Sequence, residues 1–231
     1  MNEIKWEKFE EIDSTNDYAK SCRSSGENLI VTAKKQTGGR GTKGRSFSSE
    51  EGGVYLTKLS FYQDFPTKNA FMIMASAAVA VCETLESYAL SPVIKWANDI
   101  HVNGKKICGI LIENTFSGDK ISSSVVGIGL NVSNPLSEEL LKIATTMQAE
   151  TGKTFSVDEV TKRLVDALHK KYTIQDYQKR LGYMHTQAEL ILADKRVPAT
   201  LLSVDDEGGL LVEVDGETRR FVSAEVSVKT L

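Results

Sequence analysis

Between residues 38 and 45 the sequence reads Gly-Gly-Arg-Gly-Thr-Lys-Gly-Arg, with three basic side chains and four glycines in eight residues. Glycines expose backbone N–H groups, and beside guanidinium charge these can cradle an anion such as a phosphate. A solvated flexible loop is the alternative. The spacing Gly39-x-Gly41-x-x-Gly44 matches a dinucleotide fingerprint, but that motif must open directly into a helix, and here Ser46-Phe47-Ser48-Ser49 and Gly52-Gly53 follow. The Gly-Lys-Ser/Thr ending of a P-loop is missing too. Three further clusters carry polar chemistry. Lys95-Trp96-Ala97-Asn98-Asp99 gathers an ammonium, an amide and a carboxylate, or is a turn whose side chains bond their own backbone. Lys105 and Lys106 open a hairpin strand, and alternation sends one to each face. If Lys106 shares the face of Cys108 and Ile110 it points inward and needs an anion; otherwise it is an exposed hairpin lysine. Gly127-Ile128-Gly129-Leu130-Asn131 alternates glycine with apolar residues, which lets a flat ligand or another backbone approach the strand.

These clusters need rigid elements to position them. Trp6, Phe9 and Ile12 among charges predict a first strand, and Asp13 or Ser14 caps a helix ending near Gly26. A short strand over 29–33 leads into the glycine loop, followed by a strand over 54–61 and a buried, Ala-rich helix over 67–88. Strands are expected over 93–96, 100–102, 107–112 and 124–132, with Asn103-Gly104 as a hairpin turn. Helices over 137–150 and 157–182 should cover one sheet face. From about residue 188 short alternating strands with Glu207-Gly208-Gly209 and Asp215-Gly216 turns predict a small β-barrel. The expected fold class is α+β: a mixed central sheet with helices packed on it, over 1–184, plus a small C-terminal SH3-like β-barrel over 185–231.

Composition narrows the function classes. The 231 residues carry 28 basic and 31 acidic side chains, a formal net charge of -3, so no global field favours nucleic acid or an anionic membrane. The apolar stretch over 70–82 is shorter than the ~20 residues that span a bilayer. The acidic N-terminus reads as no signal peptide, and Cys22, Cys82 and Cys108 are too few and too scattered for a disulfide framework, which places the chain in the cytoplasm. His101, His169 and His185 are dispersed, so a protein-only metal site is not expected, and neither a Ser-His-Asp nor a Cys-His set is evident.

Taken in order, Ser14-Thr15-Asn16, Gln36 with the glycine loop, KWAND over 95–99, KKICGILIE over 105–113 and GIGLN over 127–131 resemble biotin protein ligases along the whole chain. The resemblance implies ATP-dependent activation of biotin to biotinyl-5'-AMP and transfer to a lysine of a biotin carboxyl carrier protein domain. It implies a biotin site made of Ser14, Thr15, Asn16, Gln36, Arg40, Gly41, Thr42, Lys106, Gly109, Leu111 and Gly127. It implies an adenylate site made of Arg40, Lys43, Arg45, Phe47, Lys95, Asn98, Asp99, Lys106, Asn131 and Lys229, with Phe47 covering the adenine. Arg40 and Lys106 would be catalytic, and Mg²⁺ would arrive on ATP with Asp99 nearby. Thr42 and Ala97 depart from the family's usual basic residue and proline. With 13 residues before Ser14, the chain resembles the short form without the N-terminal DNA-binding domain. A homodimer is left open. A lipoate or octanoate ligase or transferase of the same fold, or a non-catalytic biotin-binding regulator, are the alternatives.

Overall fold

The computed structural model describes residues 4–192 and 195–230. A seven-stranded sheet is ordered β1(Lys5–Ile12), β2(Leu29–Gln36), β3(Val54–Phe61), β7(Lys120–Leu130), β6(Lys105–Ser117), β5(Asp99–Val102), β4(Val93–Lys95). It is mixed: β1 runs parallel to β2 across α1(Thr15–Ser21), and every other pair is antiparallel. Strand alternation divides the core between the two faces. Ile30, Leu56, Val126, Ile128 and Ile110 belong to the buried cluster under α2(Ala70–Glu86), while Leu29, Val31, Leu59 and Val125 pack with Ala19 of α1 on the opposite face. α1 covers only one end of that second face, so the sheet beyond Gly127 stays open to a ligand.

The run 67–86 is long and apolar enough to cross a membrane by length and composition, but more than half of its most apolar stretch is buried inside the fold. Its alanines permit close packing on the sheet, the role expected for a core helix. Both long helices expected after β7 are broken. Residues 137–150 form α3(Glu138–Leu141) and α4(Met147–Thr151), because the chain between them returns to β6: Lys106 N–H donates to Ile143 O at 2.9 Å and Thr145 N–H to Lys106 O at 2.9 Å. Thr146 then caps α4. Residues 157–182 form α5(Val157–Ala167) and α6(Ile174–Gln178), the second restarted by a Thr173/Asp176 capping box.

The C-terminal sheet is antiparallel, ordered β11(Glu217–Phe221), β10(Leu210–Val214), β9(Lys195–Val204), β8(Gln187–Leu192), β12(Ser227–Thr230). It packs on the main sheet's helices through one continuous core. Gly208, at φ +84, presses against Phe71 so closely that a Cβ would overlap the ring, and its carbonyl accepts from Trp96 Nε1 at 3.0 Å. That contact ties the barrel to the turn after β4.

Candidate functional site

Two cavities that share lining residues lie at the sheet, the first on its open face and the second extending to α2 and the C-terminal sheet. The first is walled by Ser14, Thr15 and Asn16 at the start of α1, Gln36 at the end of β2, Arg40, Gly41, Thr42 and Phe47 of the glycine loop, Asn98, Lys106, Gly109 and Leu111, and Gly127 and Gly129 of β7. Ser14 caps α1 by accepting from Asp17 N–H at 3.3 Å, which turns Thr15 and Asn16 into the cavity wall. A polar chain runs behind them. Gln36 Oε1 accepts from Thr15 N–H at 2.8 Å and Thr15 Oγ1 at 3.0 Å, and its Nε2 donates to Ser49 Oγ at 2.9 Å. Buried Thr57 contacts Thr15 Oγ1 at 2.8 Å and donates to Asn16 Oδ1 at 2.6 Å. With its oxygen so held, the Asn16 amide turns its Nδ2 donor away, and this buried nitrogen has no partner among the described residues. A buried orphan donor costs about 1–3 kcal/mol, which a ligand acceptor would recover.

The glycines of β7 let two side chains lie against the strand. A Cβ on Gly127 would overlap Asn16 Oδ1 and lie 2.7 Å from its Cγ, and one on Gly129 would lie 2.5 Å from Phe47 Cε1. Phe47 therefore lies across the floor of the first cavity, reducing it to about 40 Å³. A ligand of ring size requires that side chain to move.

Lys106 reaches this cavity through a bulge. β5 pairs Ile100 with Cys108 but His101 with Lys106, leaving Ile107 as the extra residue. Of the two placements the sequence leaves open, the bulge rules out the Cys108 and Ile110 face: Lys106 Nζ sits 3.0 Å from where a Gly109 Cβ would be, on the cavity face. It donates to Asp99 Oδ1 at 2.7 Å.

The second cavity, about 430 Å³, is bounded by Arg45, Lys95 to Asp99, Leu111, Met74 of α2 and, from the C-terminal sheet, Ile191 and Val226 to Lys229. Its size falls within the usual range for small-molecule sites, and Thr42, Asn98 and Leu111 belong to both cavities. Burial pushes the Lys95 ammonium below its ordinary pKa, against the opposing pull of Asp99. Lys229 stands 3.8 Å from Glu189. Asn98 Nδ2 donates to Ile110 O at 2.8 Å, so this amide also locks the turn. The peptide between Trp96 and Ala97 is cis.

Among the residues singled out from sequence, Arg45, Lys95, Asp99 and Lys229 meet in the second cavity, and Phe47 falls in the first. Asn131 borders neither cavity among the described residues. It is buried, donating to Thr145 O at 3.1 Å and accepting from Asn134 Nδ2 at 3.1 Å. The Lys43 side chain lies outside the described residues. Thr57 and Ser49 carry no site role in the sequence: one is a strand threonine, the other belongs to a serine-rich loop, and only the fold brings them under the cavity. Among the described residues no three His, Cys, Asp or Glu side chains group to hold a metal.

Fold and site define a class of protein with two joined small-molecule cavities on a mixed sheet, one lined by neutral hydrogen-bonding groups with Arg40 and Lys106 at its wall, the other bordered by Arg45, Lys95 and Lys229, and both bordered by one glycine-arginine loop. Residues 8–131 match the model of the biotin/lipoate A/B protein ligase family. The chain is 32% identical over 218 residues to the bifunctional ligase/repressor BirA of Bacillus subtilis, covering 87% of this chain and 66% of that protein. The chain thus spans a little under two thirds of that relative's length. In structure it resembles the Aquifex aeolicus biotin protein ligase in complex with biotin and ATP, with TM-score 0.79, 28% identity and 100% of both chains covered. It also resembles the Leishmania major biotin protein ligase in complex with biotinyl-5-AMP, with TM-score 0.64, 25% identity, and 95% and 99% of the two chains covered. The chain belongs to the biotin/lipoate A/B protein ligase family.

Proposed function

We propose that this chain is an ATP-dependent, AMP-forming biotin protein ligase that makes biotinyl-5'-AMP and passes biotin to a lysine of a biotin carboxyl carrier protein domain. The observation that carries the reading is the orphan Asn16 donor, in a cavity lined with neutral hydrogen-bonding groups and flanked by Arg40 and Lys106. Uncharged donors and acceptors suit a urea ring, and the two cations suit the carboxylate at the other end of the same molecule. An octanoyl or lipoyl chain would call for an apolar channel, which Ser14, Thr15, Asn16 and Gln36 do not supply.

In this assignment Ser14, Thr15, Asn16 and Gln36 bind the ureido group, and Gly127 keeps the strand low enough for Asn16 to reach it. Gly41, Thr42, Gly109 and Leu111 flank the ring and its chain. Arg40 and Lys106 offset the repulsion between the biotin carboxylate and the α-phosphate of ATP, and then hold the mixed anhydride. Arg45, Lys95, Asn98 and Lys229 surround the nucleotide, and Mg²⁺ carried by ATP would neutralise phosphate charge beside Asp99. The glycine loop over the joined cavities excludes water while the anhydride waits. Residues 1–184 carry the chemistry, with 185–231 closing the nucleotide cavity from one side; three scattered free cysteines fit a reducing cytoplasm.

The test mixes the protein with Mg-ATP, biotin and a biotin carboxyl carrier domain and reads the lysine adduct by mass, with biotin-dependent exchange of pyrophosphate into ATP reporting the first half-reaction. Adduct and exchange are the expected result. Biotin binding without exchange would replace the enzyme by a binding protein, and preference for lipoate would overturn the substrate.

A further inference from the structure

Asp17 belongs to none of the assignments above, yet it touches the residue on which the anion site depends. It stands in the first turn of α1, and its Oδ2 accepts from Arg40 Nη2 at 2.7 Å. Its Oδ1 meets Lys20 Nζ at 2.7 Å, and the same ammonium lies 3.0 Å from Glu113 Oε1. Glu113 follows Gly109 and Leu111 along one face of β6, and Arg23 Nη2 donates to its carbonyl at 3.1 Å. Four side chains of alternating charge therefore link the glycine loop to the sheet through α1. The loop's entry is fastened to the turn before α1 as well: Gly38 N–H donates to Asp13 O at 2.8 Å, and Thr37 Oγ1 to Asp13 Oδ1 at 3.2 Å.

A guanidinium carries five N–H donors in a rigid fork, so a carboxylate on one nitrogen leaves the others for a second anion. Arg40 lines the first cavity while Asp17 holds its Nη2. We propose that Asp17 is a positioning residue: it holds the Arg40 guanidinium at the cavity wall before the substrate carboxylate arrives, so that less rotamer freedom is lost on binding. Lys20 and Glu113 brace it from behind. The inference rests on the ligase reading and adds to it a residue that acts through Arg40 without touching substrate.

The experiment measures biotin-dependent pyrophosphate exchange in the full chain for the unsubstituted protein, Asp17→Asn, Asp17→Ser, Asp17→Glu, Arg40→Ala and the Asp17→Asn/Arg40→Ala pair, with melting temperatures recorded for each. Arg40 is 56% exposed and Asp17 29%, so the loss is that of a partly screened ion pair. Asp17→Asn and Asp17→Ser should each raise KM for biotin about three- to fivefold while kcat stays within about twofold. Asp17→Glu should restore most of the loss, and in the Arg40→Ala background the Asn substitution should add nothing. An unchanged KM refutes the proposal, as does equal loss in both backgrounds. A lowered KM would make Asp17 a rival for Arg40 and refute it too. If the unsubstituted protein shows no exchange, the ligase reading falls and takes the inference with it, an outcome distinct from exchange that is indifferent to residue 17.

Discussion

Replacing Gly127 by alanine tests whether the central strand is kept bare for the sake of Asn16. The new methyl would overlap Asn16 Oδ1 and sit 2.7 Å from both Cγ and Nδ2. β7 cannot retreat, because it is paired with β3 on one side and β6 on the other over most of its length. Asn16 must move instead, breaking its 2.6 Å bond from the fully buried Thr57. Overpacking a well-filled site costs about 1–3 kcal/mol, and the Asn16 amide oxygen left unpaired adds about 1–3 kcal/mol. A total near 3 kcal/mol corresponds to a melting temperature lower by about 6–12 °C in a chain of this size. Biotin affinity should fall by about tenfold or more, since Asn16, a residue of the cavity wall, is displaced. Thermal melts and calorimetric titration read both numbers. Asn16→Ala combined with Gly127→Ala should recover much of the stability but none of the affinity. An unaltered midpoint together with an unaltered biotin Kd in Gly127→Ala would refute the reasoning.

Lys106→Ala or Arg40→Gly should reduce biotin-dependent pyrophosphate exchange by about 100-fold or more, the scale for one charged donor at a developing anion; normal burst and turnover would remove both from the reaction. Phe47→Trp should give an indole whose emission shifts when biotin enters, because the ring at 47 must leave the cavity floor; emission unmoved at saturating biotin would contradict this. His101 is pushed from 6.5 to about 4, first by burial and then by the Lys95 ammonium. The unfolded chain therefore takes up this proton first as pH falls, so stability from keeping His101 neutral is full above about 6.5 and lost progressively toward 4. A His101→Gln variant should show a flatter stability profile across that window in denaturant melts, and an identical slope would exclude His101 as the cause.

The glycine loop is legible as an anion cradle from residue type and spacing, whereas the Thr15-Asn16 helix start and the turn at Lys95 to Asp99 take on site roles only through the family resemblance, because a helix cap and a polar turn look the same without a ligand. Lys106 was legible as a charge but not in direction. Period-2 alternation assigns it the face of Cys108, and only the pairing of β5 with β6 reveals Ile107 as the extra residue. Thr57 stayed hidden because a threonine in a strand is unremarkable until the opposite element is known, and Asp17 reads locally as nothing more than an acidic first-turn residue. The helices over 137–150 and 157–182 failed for a different reason. Their apolar periodicity is real, but Thr146 and Thr173 each offer a new N-cap, and the backbone bonds from residues 143 and 145 to Lys106 outweigh continued helix.

The cations of this site are held by carboxylates of the chain itself: Arg40 by Asp17, Lys106 by Asp99. Such pairs lessen the repulsion that clustered Arg and Lys side chains would otherwise suffer, and fix long side chains that would be costly to order on binding. They also weaken the field offered to a single anion, since each cation is already half answered. An arrangement of this kind favours ligands that bring several negative charges at once. A carboxylate and a triphosphate entering adjoining cavities do that, and the Lys106–Asp99 pair lies where the two cavities meet. Under the proposed assignment the same reasoning separates the two substrates: a ring held by neutral groups should bind with little salt dependence, whereas a nucleotide held by charged groups should bind more weakly as ionic strength rises.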